Sequence, residues 1–450
     1  MVDPSESGTA HPAGSGGSSS APKLVVRSQG EGSPAVHLYR KFVPVALRDK
    51  VSATVSPQVR NKIVTGVGSA VPKAAAQVRR GVFNLRHARH VAVPGRLLLA
   101  DNRAVRVAEW IPGLTPLSAH RRNFDRVRGA FDTAGVRHFS IRGKAAHASV
   151  VAVRTSDRRR ALDALQTACD RNPGYLAVLR PGTKSFTKAV AAFEPSAWAG
   201  AQNADVARVF WLQTADQEGS LSFGEAFGCE IEFWDEADDR LVAPRPNRVA
   251  DSVAVDAPMT DAREHLALRW APRGSDPARD RRMPEEFTVQ LPDDIPFPID
   301  AVYTWVDGSD PAWNERRDKA LAASGGPAGL NEQAANDARY ISRDELRFSL
   351  RSLDMYAPWI RTIYLVTDQQ TPDWLDTSHP RVKVVDHRDI FTDPDALPTF
   401  NSHAIESQLH HIDGLAEHFL YFNDDVFLGR ALTPDFFFHA NGLAKHFPSP

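Results

Sequence analysis

The C-terminal third of this chain predicts an α/β fold with a parallel sheet, on three observations. From Ile299 onward, β-branched and aromatic runs alternate with helical stretches, the pattern of strands connected through helices on the sheet faces. The segment "VDGSDPAW" turns one such run directly into a helix, and "FLYFNDD" ends another in adjacent aspartates. The N-terminal half reads instead as an α+β accessory region.

Residues 1–36 form a Gly/Ser/Pro tail too poor in apolar side chains to fold. Residues 37–90 are rich in Lys and Arg, and Asp49 is their only acid. Apolar residues such as Val43, Leu47 and Val51 recur at loosely helical spacing, cut by Pro44, Pro57 and Pro72. Such basic amphipathic helices suit an anionic membrane surface, a nucleic-acid arm or a solvated face. With no aromatic stacking platform nearby, nucleic acid is not an expected partner.

Residues 91–243 mix strand and helix signals. Strands are expected at His147–Arg154, Tyr175–Arg180, Val206–Gln213 and Cys229–Trp234, with a hairpin turn after Trp234. A helix capped by Ser156 is expected between the first two. Residues 244–297 read as a charged connector punctuated by prolines, and residues 298–450 as the catalytic core.

Composition sets the outer limits. With 450 residues, 42% hydrophobic and 24% charged, the chain can build two or three domains. Its two cysteines, Cys169 and Cys229, offer neither a disulfide framework nor a zinc cluster, which fits a reducing compartment. No run of about 18 apolar residues marks a membrane span, and no signal-peptide core opens the chain. A cytoplasmic protein, peripheral at the inner face of the membrane, is the resulting expectation.

Three blocks carry chemistry. In "PIDAVYTWVDGSDPAWNERR" a strand from Ile299 ends in a turn at Asp307 and Gly308, with Asp310 as helix cap and Pro311 at the first helical position. Such turns at the carboxyl edge of parallel sheets bind nucleotides. The competing reading is a well-made turn with solvated acids. Haloacid-dehalogenase-type phosphatases place their two aspartates two positions apart; here the spacing is three.

In "RYISRDELRFSLRSLDMYAPWIRTIYLVTD" a capping box of Ser342 and Glu345 is expected to start a helix. Arg343, Arg347 and Arg351 fall at i, i+4 and i+8 and form one cationic stripe suited to a diphosphate. The alternative is a solvent face paired with Asp344, Glu345 and Asp354. The strand that follows ends at Asp368.

In "FNSHAIESQLHHIDGLAEHFLYFNDDVFLG" a helix capped by Asn401 or Ser402 is expected to run to about Ile412, with His403, Glu406 and His410 on one face. A buried strand, Phe419–Phe422, then delivers Asn423, Asp424 and Asp425. Two carboxylates there suit Mg²⁺ or Mn²⁺ bridging substrate phosphates. An Asp-Asp turn without metal is the simpler alternative.

Taken together, the three blocks resemble the Stealth family, which includes bacterial capsule and exopolysaccharide phosphotransferases and the α/β subunit of the animal lysosomal-enzyme GlcNAc-1-phosphotransferase. The likeness covers about Pro298 to Phe438 and leaves the N-terminal half unmatched. It implies a GT-A-like nucleotide-diphosphosugar-binding core. It also implies transfer of a hexose 1-phosphate from a UDP-sugar to a glycan or polysaccharide hydroxyl, with release of UMP. Carried over by motif, Asp307 meets the nucleotide, Arg347 and Arg351 lie near the phosphates, and Asp424 and Asp425 form the metal-associated turn. Arg347, Arg351 and Asp425 are the expected catalytic residues. Asp307, Gly308, Asp310, Arg343 and Asp368 are the expected sugar-nucleotide contacts. The family's fourth region, with its histidine and arginine, is not found before Pro450. Two rivals stand beside this reading: a GT-A-type glycosyltransferase releasing UDP, and a non-catalytic sugar-nucleotide or glycan-binding protein.

Overall fold

In the N-terminal half, apolar runs pair into two sheets, the larger of them backed by two helices. Strands β1 (Arg96–Ala100), β2 (Val105–Trp110), β8 (Gln213–Thr214) and β9 (Ser222–Phe223) form a small four-stranded sheet. The larger, eight-stranded sheet contains β3 (His138–Ile141), β4 (Ser149–Arg154), β5 (Tyr175–Leu179), β6 (Val190–Ala191), β7 (Val206–Phe210), β10 (Cys229–Ala237), β11 (Arg240–Val242) and β12 (Ser252–Ala254). Helices α1 (Pro116–Ala134) and α2 (Arg158–Arg171) pack on one face of it, where Phe131, Leu165, Val151 and Ile231 share a core. These are residues of a computed structural model that describes 82–83, 87–100, 105–146, 148–274, 276–323 and 340–448. The tail and nearly all of the basic segment lie outside the described residues. Residues 86–99 and 106–450 form one compact unit.

Two local expectations for this half are corrected. Ser156 does not cap α2; a 3-10 turn at Thr155–Asp157 precedes the helix, and Asp157 stands at the cap with its carboxylate on Arg160 rather than on a helix amide. The hairpin after Trp234 is tighter and later than expected, because β10 continues to Ala237 and only Asp238 and Asp239 turn the chain. Asp238 takes a left-handed φ of 55° there, which Asp tolerates better than most side chains.

The charged segment 244–297 is more than a connector. It contributes β12 to the large sheet and a hairpin of β13 (Met259–Ala262) and β14 (Arg281–Pro284). Met283 and Phe287 are fully buried beneath the sheet's second face. Buried ion pairs fix this layer: Glu264 receives Arg121 at 2.5 Å and Arg281 at 2.7 Å.

The C-terminal third is the parallel α/β unit expected. Strands β15 (Ile299–Thr304), β16 (Ile363–Thr367), β17 (Val382–Asp386) and β18 (His418–Asn423) are all parallel, in the order β17-β16-β15-β18. Strand alternation divides the core into two layers. Ile299, Ala301 and Tyr303 pack with Leu346, Leu353 and Trp359, which belong to helix α4 (Glu345–Tyr356) and the turn after it. Val302, Tyr364 and Val366 pack on the other face with Ile390, Ile405 and Leu409. Helix α3 (Pro311–Ala323) follows β15, and a short helix α5 (Ser402–Glu406) precedes β18.

Three details of the core depart from expectation. Helix α4 begins at Glu345, not at a Ser342 cap; Asp344 stands at its start with φ 65°, and the Glu345 carboxylate accepts the Arg343 amide. The helix expected to run to Ile412 is capped by Asn401 as the sequence suggests, but it stops at Glu406 and resumes only as a 3-10 turn at Leu409–His411. Strand β18 is half-buried except at buried Phe422 and exposed Asn423, because it lies at the sheet edge.

Candidate functional site

The register of the four strands brings their carboxyl ends to one edge. Thr304 pairs with Val366 on one side and Asn423 on the other, and Thr367 pairs with Asp386. From β15 the chain steps outward to β16 and β17, then returns across β15 to lay down β18. The reversal makes the edge between the ends of β15 and β18 the topological switch point of the sheet, the crevice position at which open α/β sheets bind their ligands.

The crevice floor is a hydrogen-bonded group centred on the Tyr421 hydroxyl. It lies 2.8 Å from Thr304 Oγ1, 3.2 Å from Glu406 Oε1 and 3.2 Å from Asn423 Oδ1. His403 Nδ1 stands 3.7 Å from the Glu406 carboxylate. Burial, with Glu406 and Asp424 nearby, pushes the Tyr421 phenol up.

The strand stops at Asn423, whose carbonyl accepts the Val426 amide, so Asp424 and Asp425 occupy a turn. Strand alternation therefore does not force the two side chains apart. Burial, then Asp425 and Glu345, hold the Asp424 carboxyl above the usual carboxylate range. Carboxylates in this state gain from a cation. Among the described residues no three His, Cys, Asp or Glu side chains converge as a ready-made metal cage. Two adjacent carboxylates fit the Mg²⁺ pattern, in which substrate phosphates and water complete the shell.

On the other side of the crevice, the Asp307–Asp310 turn leads from β15 into α3. Asp307 Oδ1 accepts from the Ser309 amide at 2.8 Å and hydroxyl at 2.7 Å. Asp310 caps α3 by accepting the Ala312 amide at 2.9 Å, as the sequence predicts. Gly308 donates to the Tyr340 carbonyl at 2.7 Å, and a Cβ there would meet that oxygen at 2.6 Å, so only glycine fits. Asp368, at the end of β16, receives Arg316 of α3 at 3.1 Å.

Only Arg347 and Arg351 lie on α4, whose buried face carries Leu346, Ser349 and Leu353; Arg343 precedes the helix across the left-handed Asp344, so the expected three-arginine stripe is cut to two. Ser349 donates to the Val426 carbonyl and Ser352 accepts the Leu428 amide at 2.9 Å, which locks α4 to the chain leaving the Asp424–Asp425 turn. Arg347 is half-buried with its guanidinium 5.9 Å from the Trp374 ring, in the loop after β16. Arg343 and Arg351 are exposed, and Arg351 lies over Phe348. The alternative of pairing along the helix is not what forms. Among the described residues no salt bridge reaches the three arginines, and Asp354 pairs with Arg381 at 3.2 Å.

The structure thus gathers the two acidic turns on either side of the crevice, with the α4 start and Glu345 beside Asp424. His410 lies against His411 in the separate 3-10 turn, their ring centroids 3.9 Å apart and their planes tilted by 45°. Glu406, Tyr421, Thr304 and Gln370 are site residues that sequence reasoning did not single out for the site. Glu406 carried a signal through its spacing from His403; Gln370, a loop carboxamide, carried none.

The models for Stealth protein conserved region 1 and conserved region 2 match residues 297–325 and 339–446, which bracket this crevice. Exopolysaccharide phosphotransferase SCO2594 of Streptomyces coelicolor is 43% identical over 435 residues, covering 92% of this chain and 71% of the relative. The chain belongs to the Stealth family. Exopolysaccharide phosphotransferase SCO6021, also of Streptomyces coelicolor, is 48% identical over 342 residues, or 75% of this chain and 62% of its own length. Exopolysaccharide phosphotransferase CpsY of Mycobacterium tuberculosis is 34% identical over 345 residues, or 76% and 60%. These alignments are longer than the three motifs, so the likeness to Stealth proteins extends into the N-terminal half.

Proposed function

We propose that this Stealth protein is an exopolysaccharide phosphotransferase that moves a hexose 1-phosphate from a UDP-sugar to a glycan hydroxyl. The broad class, a transferase of phosphorus-containing groups in exopolysaccharide synthesis, follows from its family. The observation that carries the finer reading is the crevice between β15 and β18, which has acidic turns on both sides and cationic α4 at its rim. A GT-A-like use of this crevice places the nucleotide against the Asp307–Asp310 turn.

In the reaction, the acceptor hydroxyl gives its proton to a general base and its oxygen forms a bond to the sugar-linked phosphorus. The bond between that phosphorus and the bridging oxygen breaks, and UMP leaves. Arg347 and Arg351 on α4, with Arg343 just before the helix, are the donors offered to the diphosphate, and guanidinium forks grip its oxygens as charge redistributes. Glu345 lies close enough to Asp424 to act on its charge, and Glu406 accepts from the Tyr421 hydroxyl. A divalent ion, Mg²⁺ or Mn²⁺, held by Asp424 and Asp425, would neutralise diphosphate charge.

Cytoplasmic location at the inner membrane face is part of the proposal. No described helix is long and apolar enough to cross a membrane. The acid-poor stretch 37–90 supports electrostatic attachment to anionic lipid.

Equilibrium binding tests the site assignment. A UDP-sugar is expected to bind more tightly with Mg²⁺ or Mn²⁺ than with EDTA, and Asp425→Asn to remove that metal dependence. Metal-independent binding, or no preference over an uncharged sugar, would overturn it.

A further inference from the structure

We propose that Gln370 is a positioning residue whose carboxamide clamps the Asp307–Asp310 turn into the shape that meets the sugar nucleotide. The inference rests on the sugar-nucleotide function proposed for the crevice and adds a residue to it.

Gln370 follows β16 by three positions and is buried, 8% exposed. Its carboxamide uses both ends on the neighbouring turn. Oε1 accepts the Asp307 amide at 2.9 Å, while Nε2 donates to the Asp307 carbonyl at 3.0 Å and to Asp310 Oδ2 at 2.9 Å. One side chain thus satisfies both backbone groups of Asp307 and one carboxylate oxygen of Asp310. A buried amide can do this only by being donor and acceptor at once.

The clamp is itself held. Gln369 takes a left-handed φ of 56°, a costly conformation for a residue with a side chain. Its amide donates to Asp386 Oδ2 at 3.0 Å, and its carboxamide donates to Asp368 Oδ1 at 3.1 Å. Arg316 ties the same Asp368 to α3. The Asp307–Asp310 turn is therefore braced from the ends of β16 and β17 rather than by its own bonds alone. The hydrogen bond from Gln370, followed by the Ala312 and Trp313 amides, also keeps Asp310 below the ordinary carboxylate range, so the turn stays anionic.

Two substitutions separate positioning from bulk stability. Gln370→Ala removes all three bonds, whereas Gln370→Glu keeps the shape and the acceptor but loses the donor. It also sets a second carboxylate against Asp310, and such pairs share a proton. The probe is UDP-GlcNAc with Mg²⁺, measured by calorimetry across pH, alongside hydrogen exchange of the Asp307 amide and thermal unfolding.

Both variants are expected to stay folded and to lose about tenfold or more in affinity, the scale of an unsatisfied buried hydrogen bond. Gln370→Glu is also expected to show an acid-side titration of binding that the wild type lacks. Gln370→Ala is expected to lose protection at the Asp307 amide. The inference is overturned if the wild type binds and both variants bind within twofold of it with no new titration. It is equally overturned if affinity falls only in proportion to the unfolded fraction. Should the wild type bind no UDP-sugar, the functional reading fails, and the clamp is decided by exchange alone: unchanged Asp307 protection in Gln370→Ala rejects it.

Discussion

Asp300 and Arg361 join two strands of the catalytic sheet at its amino edge, with Arg361 donating to both carboxylate oxygens at 2.8 and 2.5 Å. Asp300 is completely buried, and it also accepts the Thr362 amide at 3.0 Å and the Ala416 amide at 2.8 Å. One carboxylate thus ties β15 to the segments entering β16 and β18. Replacing Asp300 by Ala leaves the Thr362 and Ala416 amides without their acceptor, while Arg361 keeps the Gly414 carbonyl and solvent. A loss of about 1–3 kcal/mol is expected, the scale for leaving buried amides unsatisfied, because Arg361 itself is solvated. Urea unfolding checks it; a loss below about 1 kcal/mol would mean that these strands are held by apolar packing alone.

The opposite edge behaves differently, because there the carboxylates repel. The Asp424 carboxyl is raised in the fold by burial, Asp425 and Glu345. A raised carboxylate costs stability above its folded pKa and costs nothing below the unfolded value. Asp424→Asn is therefore expected to raise the stability of the metal-free protein at neutral pH by roughly 0.5 kcal/mol, discounted for solvent screening. The gain should vanish as the pH falls through the carboxylate range. Thermal unfolding across pH is the measurement, and a neutral-pH loss in Asp424→Asn would contradict the repulsion. Mg²⁺ should stabilise the wild type more than this variant.

Arg347 distinguishes a phosphate-gripping face from a solvent face. Its guanidinium stands by Trp374 with no salt bridge among the described residues. Arg347→Lys keeps the charge and loses the planar fork. Turnover in the full-length polypeptide is expected to fall about a hundredfold to a thousandfold, with stability within about 0.5 kcal/mol of wild type. Near-wild-type kinetics would remove Arg347 from the site.

The strands of the core were legible because Ile299–Thr304 and Ile363–Thr367 are buried on both faces and so read as continuous apolar runs. The order of strands was not, since nothing local in "HFLYFN" tells that it returns beside β15. The short strands β12, β13 and β14 were missed because three or four residues are too few to display a period. The cap at Ser342 failed for a physical reason: Glu345 spends its carboxylate on the Arg343 amide, one residue short of a box. Motif residues such as Asp307 and Asp425 stood out by chemistry and spacing. Gln370 and Tyr421 act through contacts 63 and 117 residues away, which no local pattern encodes.

The central claim is phosphoryl transfer, and the nucleotide released from a UDP-sugar tests it most directly. Full-length protein, Mg²⁺ or Mn²⁺, UDP-GlcNAc and a glycan acceptor would be followed by ³¹P NMR and chromatography of the products. Phosphoryl transfer predicts UMP in step with a new phosphodiester signal in the acceptor. UDP release, with no phosphorus entering the acceptor, would contradict it.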